Sequence, residues 1–279
     1  MRASILRSPS PLPGFGLSFG IMMAVLSIVV LLPIGALLGR GAMIGPGDLW
    51  DMVNSRRIWA ALSLSFRASL LASLFNLAFG LMLAWVLVRY RFWGRKLIDA
   101  AVDLPFALPT AVAGISLTAL YAPNGAFGQI LTPLGIKVAY SELGIWMALV
   151  FIGLPFVVRT VQPVIEEIDR EVEEVSATLG ARRLYTLRRV ILPTLTPALL
   201  TGFALALARS VGEYGSVIFI AGNLPFQTEI APLLIVIRLE EYNYDAAAAI
   251  GIAMLLISFV MLLAINAIQI WSRRRIGLV

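Results

Sequence analysis

Six long runs of apolar positions divide the chain, at about residues 15–38, 62–88, 100–121, 142–161, 194–221 and 246–271. Each is near the ~20 residues that an α-helix needs to cross a bilayer. None alternates with the period of two expected of a barrel strand, and Ala246 to Trp271 is apolar on nearly every face. A helix satisfies its own backbone hydrogen bonds in lipid, so helices are the economical spanning form. The pattern predicts an all-α integral membrane protein with six transmembrane helices in one transmembrane domain, residues 1–279. Repeats, low-complexity tracts and a soluble domain are not visible. The segment from Gly39 to Arg57 reads as a short surface helix outside the membrane.

Between the fourth and fifth runs the pattern changes. Over residues 163–193, apolar residues fall at Ile165, Ile168, Val172, Val175 and Leu179, spaced 3-4-3-4 as on one face of an amphipathic helix. The other face carries Glu166, Glu167, Asp169, Glu171, Glu173 and Glu174. Gly180 breaks the stripe, as a residue free to take positive φ does after a helix end. A second stripe, Leu184, Leu187 and Ile191, is flanked by Arg182, Arg183, Arg188 and Arg189. The loop is therefore an acidic helix, a glycine elbow and a basic helix, a shape that fits a partner's groove. A helix lying on an anionic leaflet would carry basic residues on its polar face, whereas this one opens with six acids.

Charge sets the orientation. Hydrophobic residues are 59% of the 279 and charged residues only 14%. Fifteen Lys and Arg fall in one set of termini and loops: Arg2, Arg7, Arg89, Arg91, Arg95, Lys96, Arg159, Arg170, Arg182, Arg183, Arg188, Arg189 and Arg273, Arg274, Arg275. The other set holds five, Arg40, Arg56, Arg57, Lys137 and Arg238. The threefold bias predicts that both termini and the polar loop are cytoplasmic. The uncharged run from Gly14 to Leu38 is longer than a signal-peptide core and reads as an uncleaved first span. The net charge of +6 is scattered between apolar segments, which is a topology signal and not a nucleic-acid footprint. The six tryptophans, Trp50, Trp59, Trp85, Trp93, Trp146 and Trp271, fall near span ends, as interfacial anchors do.

The chain has no cysteine and no histidine. That excludes disulfides, thiolate or imidazole metal sites, Ser-His-Asp triads and histidine proton relays. A membrane-embedded enzyme would need clustered nucleophiles or acid pairs within the spans, and only Glu213 lies deep in one. Arg209 and Glu213 are four residues apart in the fifth run, where ionisable groups are expensive and mark functional sites by default. Two readings stand for them, a structural ion pair locking helices or a role at the gate or anion route. An anion route needs donors and positive potential, for which Arg67 and Arg209 are candidates, although Arg67, near the start of the second run, is expected to snorkel outward. Pro105, Pro109 and Gly114 in the third run read either as a broken helix lining a route or as a helix start. No Gly-x-x-x-x-Gly-Lys-Ser/Thr loop occurs, so an ATP-driven process would need its ATPase on another polypeptide.

The loop also carries a resemblance. The order Glu174, Ala177, Leu179, Gly180, Ala181, then Val190, Leu192 and Pro193 resembles the EAA loop in permease subunits of ABC importers, with Val175 and Ser176 in place of the usual alanines. Arg209, Gly212, Glu213, Tyr214 and Gly215, with the prolines near Pro105, are similar to molybdate- and sulfate-type permeases. SPSPLPGFGLSFG near the start, YAPNGAFG at 121–128, GNLPFQTEIAPLLI at 222–235 and IRLEEYNYDAAAAIG at 237–251 resemble the T-type permeases of bacterial sulfate/thiosulfate importers. The resemblance implies a type I ABC importer permease fold, with residues 163–193 as the coupling loop. It implies a heterodimer with a W-type permease, two copies of a cytoplasmic ATPase holding ATP and Mg, and a periplasmic binding protein. This chain would be a non-catalytic subunit without a cofactor, in the bacterial inner membrane. Molybdate or tungstate transport is the neighbouring alternative. An ion-coupled secondary transporter acting through Arg209 and Glu213 is the alternative from another class, and it predicts internal repeats.

Overall fold

The computed structural model describes residues 15–276. Arg2, Arg7 and the resembling segment 8–14 lie outside the described residues, as do the side chains of Arg170 and of residues 273–275. All regular structure among the described residues is helical. We number the main helices α1 (Phe15–Ile44), α2 (Pro46–Val53), α3 (Arg56–Arg89), α4 (Arg95–Val102), α5 (Thr110–Tyr121), α6 (Glu142–Glu167), α7 (Arg170–Thr178), α8 (Arg183–Val211), α9 (Ala231–Glu240) and α10 (Tyr244–Ile276). Five of these, α1, α3, α6, α8 and α10, are long and apolar enough to span a membrane.

The third expected span is not one helix. The run 100–121 is cut into the end of α4, a single turn at Leu104–Ala107, and α5. Pro105 starts the turn, and Pro109 holds Leu108 in an extended conformation before Thr110 begins α5. The 12 residues of α5 reach ~18 Å, short of a ~30 Å hydrocarbon core. The run is broken, and each proline also stands at a helix start, Pro105 in the first turn of Leu104–Ala107 and Pro109 immediately before α5. The fifth expected span also differs. Its helix begins at Arg183, inside the loop, and ends at Val211, with a short turn Val217–Ile220 beyond the break.

The centre of the molecule is the contact among α3, α6 and α8. Small residues let these backbones approach. A Cβ on Gly80 would sit 2.9 Å from Val157, and one on Gly202 would sit 3.0 Å from the Val157 Cα. Below this point Leu87, Val158, Val161, Ile165, Ile191 and Leu195 are buried together. Above it Ile145, Leu149, Val217, Ile220 and Ile230 form a second cluster. The face α3 turns to this core also carries Ser65, Ser69, Ser73 and Asn76, all buried, at spacings of four, four and three. Asn76 packs where Gly153 leaves room, since a Cβ there would lie 2.5 Å from Asn76 Nδ2. By contrast α1 buries only Gly41, against Ile252 of α10.

Two π-helical turns, Ser27–Leu31 in α1 and Leu187–Ile191 in α8, share one cause. Pro33 and Pro193 lack the N–H that would bond to Val29 and Arg189, so the ladder widens in the preceding turn.

Candidate functional site

The loop 163–193 is built from two helices, with a corner that the apolar stripe does not reveal. Helix α6 stops at Glu167, Ile168 and Asp169 are extended, and α7 starts at Arg170. The stripe therefore divides. Ile165 is buried in the bundle, whereas exposure climbs along α7 from 38% at Val172 to 56% at Val175 and 82% at Leu179. The acids Glu166, Glu167, Asp169, Glu171 and Glu174 are exposed beside it. An amphipathic helix whose apolar face increasingly points away from its own chain offers that face to another surface.

The elbow closes on itself. Gly180 has φ +83, and its amide donates to the Ala177 carbonyl at 3.0 Å. The Ala181 amide donates to the Ser176 carbonyl, also at 3.0 Å. These are the paired 5→2 and 6→1 bonds of a Schellman end, which requires a left-handed residue where glycine stands. The elbow brings Glu174, Ala177, Leu179, Gly180 and Ala181 together. Val190, Leu192 and Pro193 are elsewhere, half-buried at the root of the second arm where α8 passes its π turn. The second arm is thus the beginning of a spanning helix and not a separate element.

Arg89, at the last position of α3, fastens this loop to the bundle. Its guanidinium donates to the Ile168 carbonyl at 2.9 Å and meets Glu173 of α7 at 3.2 Å. It lies 5.4 Å from the centre of the Trp85 ring. A cleft behind the elbow is lined by Trp85, Arg89, Glu174, Ala177, Ala181 and Thr186 among others. The sequence reading counted Arg89 only as a loop charge. Its signal was position, since it is the one cation closing a 34-residue helix. A second fastening was also missed. Arg159 of α6 donates to Asp103 at 2.7 and 2.8 Å and to Asp99 at 2.7 Å, holding the corner where α4 ends.

The intramembrane charges do meet. Arg209 Nη1 lies 2.5 Å from Glu213 Oε2, with the Glu213 side chain 2% exposed and that of Arg209 35%. They do not share a helical face, however. Arg209 is in the last turn of α8, Gly212 caps the helix, and Glu213 stands beyond it. Glu213 Oε1 accepts from the Ser216 amide at 2.9 Å and hydroxyl at 3.0 Å, so the carboxylate ties the helix end to the next turn. The break also packs against the other broken span. A Cβ on Gly114 would lie 2.7 Å from the Ser216 Cα, and one on Gly215 would run into the Thr110 side chain. Irregular backbone from two spans is thus brought together next to the one deeply buried carboxylate of the α8 break, an arrangement tolerated at membrane depth only inside protein or along a cavity.

Arg67 does not simply snorkel. It pairs with Glu142 at the first position of α6, at 2.5 Å. At the opposite end of the bundle from the elbow, Arg57 grips the buried Glu229 with two bonds of 2.6 and 2.9 Å, and Arg40 pairs with Asp245. Among the described residues no group of acids, histidines or cysteines is arranged to hold a metal ion.

Comparison with known proteins follows the same lines. The family model described as binding-protein-dependent transport system inner membrane component matches residues 76–278. The sulfate transport system permease protein CysT of Salmonella typhimurium is 49% identical over 95% of this chain and 96% of its own length. The probable sulfate permease cysT of Nephroselmis olivacea is 46% identical over 98% and 96%. Among solved structures, a bacterial ABC transporter that imports alginate matches with a TM-score of 0.75 at 18% identity, over 93% of this chain and 96% of that one. The inward-facing MetNI methionine ABC transporter matches with a TM-score of 0.57 at 18% identity, over 82% and 99%. At that identity the structural likeness speaks for the fold alone, and the fold is that of ABC importer permeases. Taken with the sequence matches over nearly the full length, it follows that the chain belongs to the binding-protein-dependent transport system inner membrane components, in the group of the CysT permeases.

Proposed function

We propose that this permease subunit carries sulfate or thiosulfate across the bacterial inner membrane by alternating access. The observation that carries the substrate is the 49% identity, over 95% of the chain, to a permease named for sulfate transport. The coupling role of residues 163–193 is supported by an acidic helix with its apolar face turned outward and by an elbow closed by two backbone hydrogen bonds. In this reading a cytoplasmic ATPase, present in two copies and holding ATP and Mg, receives Leu179 and its neighbours. A W-type permease completes the membrane part and a periplasmic protein delivers the anion. ATP-driven closure moves the loop, and Arg89 and α8 pass that movement to the broken spans, shifting the balance between inward- and outward-open states. Arg209 and Glu213 lie at the break and are assigned to the gate.

The test is uptake of radiolabelled sulfate by cells lacking their own sulfate importer. The chain with co-expressed partners is expected to restore uptake that excess thiosulfate competes away. An assembled complex that takes up molybdate and ignores both sulfur anions would overturn the substrate assignment.

Topology is tested separately, on a background free of native cysteine. Single cysteines at Ser55 and Ala126 are expected to react in sealed cells with a membrane-impermeant thiol reagent, and one at Thr178 only after lysis. Labelling of Thr178→Cys from outside would reverse the orientation.

A further inference from the structure

We propose that the turn joining α3 to α4, residues 90–97, is a binding site for anionic phospholipid headgroups at the foot of the bundle. The turn follows a helix long and apolar enough to span a membrane, which ends at Arg89, and helix resumes at Arg95, so the turn lies at the end of a candidate span. Gly94, with φ +87, reverses the chain and places aromatic and basic side chains on one short segment. Arg91, Phe92, Trp93, Arg95, Lys96 and Leu97 line a shallow cleft there.

Among the described residues, no acid neutralises the charges of this turn. The nearby acids are already engaged, Glu173 by Arg89, and Asp99 and Asp103 by Arg159. No carboxylate among the described residues lies within ion-pair distance of Arg91, Arg95 or Lys96. Beside these cations Trp93 is 98% exposed, and Phe92, Leu97 and Ile98 are exposed as well. An indole so fully presented, flanked by three cations, matches the headgroup layer, which takes the ring at its apolar side and the cations at its phosphates. A soluble acidic partner would satisfy the cations and leave the apolar row unexplained, and the surface shaped for a partner in water is the acidic helix α7.

The experiment uses the full chain, purified with its co-expressed partner subunits and reconstituted in vesicles holding a minority of phosphatidylglycerol in neutral lipid. Bromine is placed on the acyl chains of either the anionic or the neutral lipid. The signal of Trp93 is the fluorescence difference between wild type and Trp93→Phe. That difference is expected to be quenched about twofold more strongly, lipid for lipid, when the anionic species carries the bromine. The preference should disappear in Arg91→Gln/Arg95→Gln/Lys96→Gln and return in Arg91→Lys/Arg95→Lys/Lys96→Arg, which separates charge from folding. Equal quenching by the two lipids would overturn the proposal. So would no quenching by either, which would place the turn on another protein chain and away from the bilayer.

Discussion

Replacing Gly180 by valine is expected to lower sulfate uptake by at least about 5- to 30-fold while leaving the chain in the membrane at its normal level. The elbow holds Gly180 at φ +83, and a Cβ there would meet no atom within 4 Å. The cost is therefore backbone strain and not collision. For an L-residue it is on the order of 1–2 kcal/mol, and more for a β-branched one. A change of that size is about 5- to 30-fold in the population of the closed elbow. Losing it releases the two bonds at Ala177 and Ser176 and swings α7 away from the root of α8. Asparagine tolerates the left-handed region, so Gly180→Asn should retain most of the uptake. The readouts are uptake and the amount of ATPase that co-purifies. Full uptake by Gly180→Val, with wild-type ATPase bound, would show that the elbow does not set the docking geometry.

Arg209→Met is expected to be as severe, for a different reason. It leaves the Glu213 carboxylate buried with only the two Ser216 hydrogen bonds. Breaking a buried pair costs about 3–5 kcal/mol. The lower end applies here, because Ser216 still serves one oxygen and the Arg209 side chain is 35% exposed. Glu213→Gln removes the stranded charge, so the double mutant should recover assembly relative to Arg209→Met alone. Uptake should stay lost, because the cation assigned to the gate at the helix break is gone. Full recovery of uptake in the double mutant would reduce the pair to architecture.

The parts of this molecule visible in its sequence are those that hydropathy and turn chemistry report directly. Ala246 to Trp271 can only be a spanning helix, and Gly180 ends a stripe with a residue suited to positive φ. What stayed hidden depends on neighbours distant in sequence. In the run 100–121 the prolines Pro105 and Pro109 allow for a break, but the apolar average still counts the run as one span, and only the packing shows α5 too short to cross alone. The polar edge of α3 was visible in principle, since Ser65, Ser69, Ser73 and Asn76 recur at helical spacing, but it dissolves in a window rich in leucine. Arg67 reads as a snorkelling cation until Glu142 is seen opposite. Glu213 sits at i+4 from Arg209 and so invites a shared face, yet Gly212 ends the helix between them and the pair forms across the end. The stripe over 165–179 was right in its residues and wrong in its continuity, because Ile168 and Asp169 turn a corner that periodicity passes over.

Helix α8 also acts as a beam. It runs continuously, through its π turn, from the elbow at Arg183 to the break after Val211, and Gly202 lets it come close to Val157 of α6. With that contact as fulcrum, the arm toward the elbow is ~28 Å long and the arm toward Glu213 ~14 Å, from the helical rise per residue. Leverage is then about two to one, so in the proposed coupling role a displacement at the elbow would arrive about halved beside Glu213. A shift of about 1 Å there would carry the 2.9 Å bond from the Ser216 amide beyond bonding reach. In the proposed coupling role such gearing would trade travel for force, bringing a short displacement to the place where the beam ends at Val211.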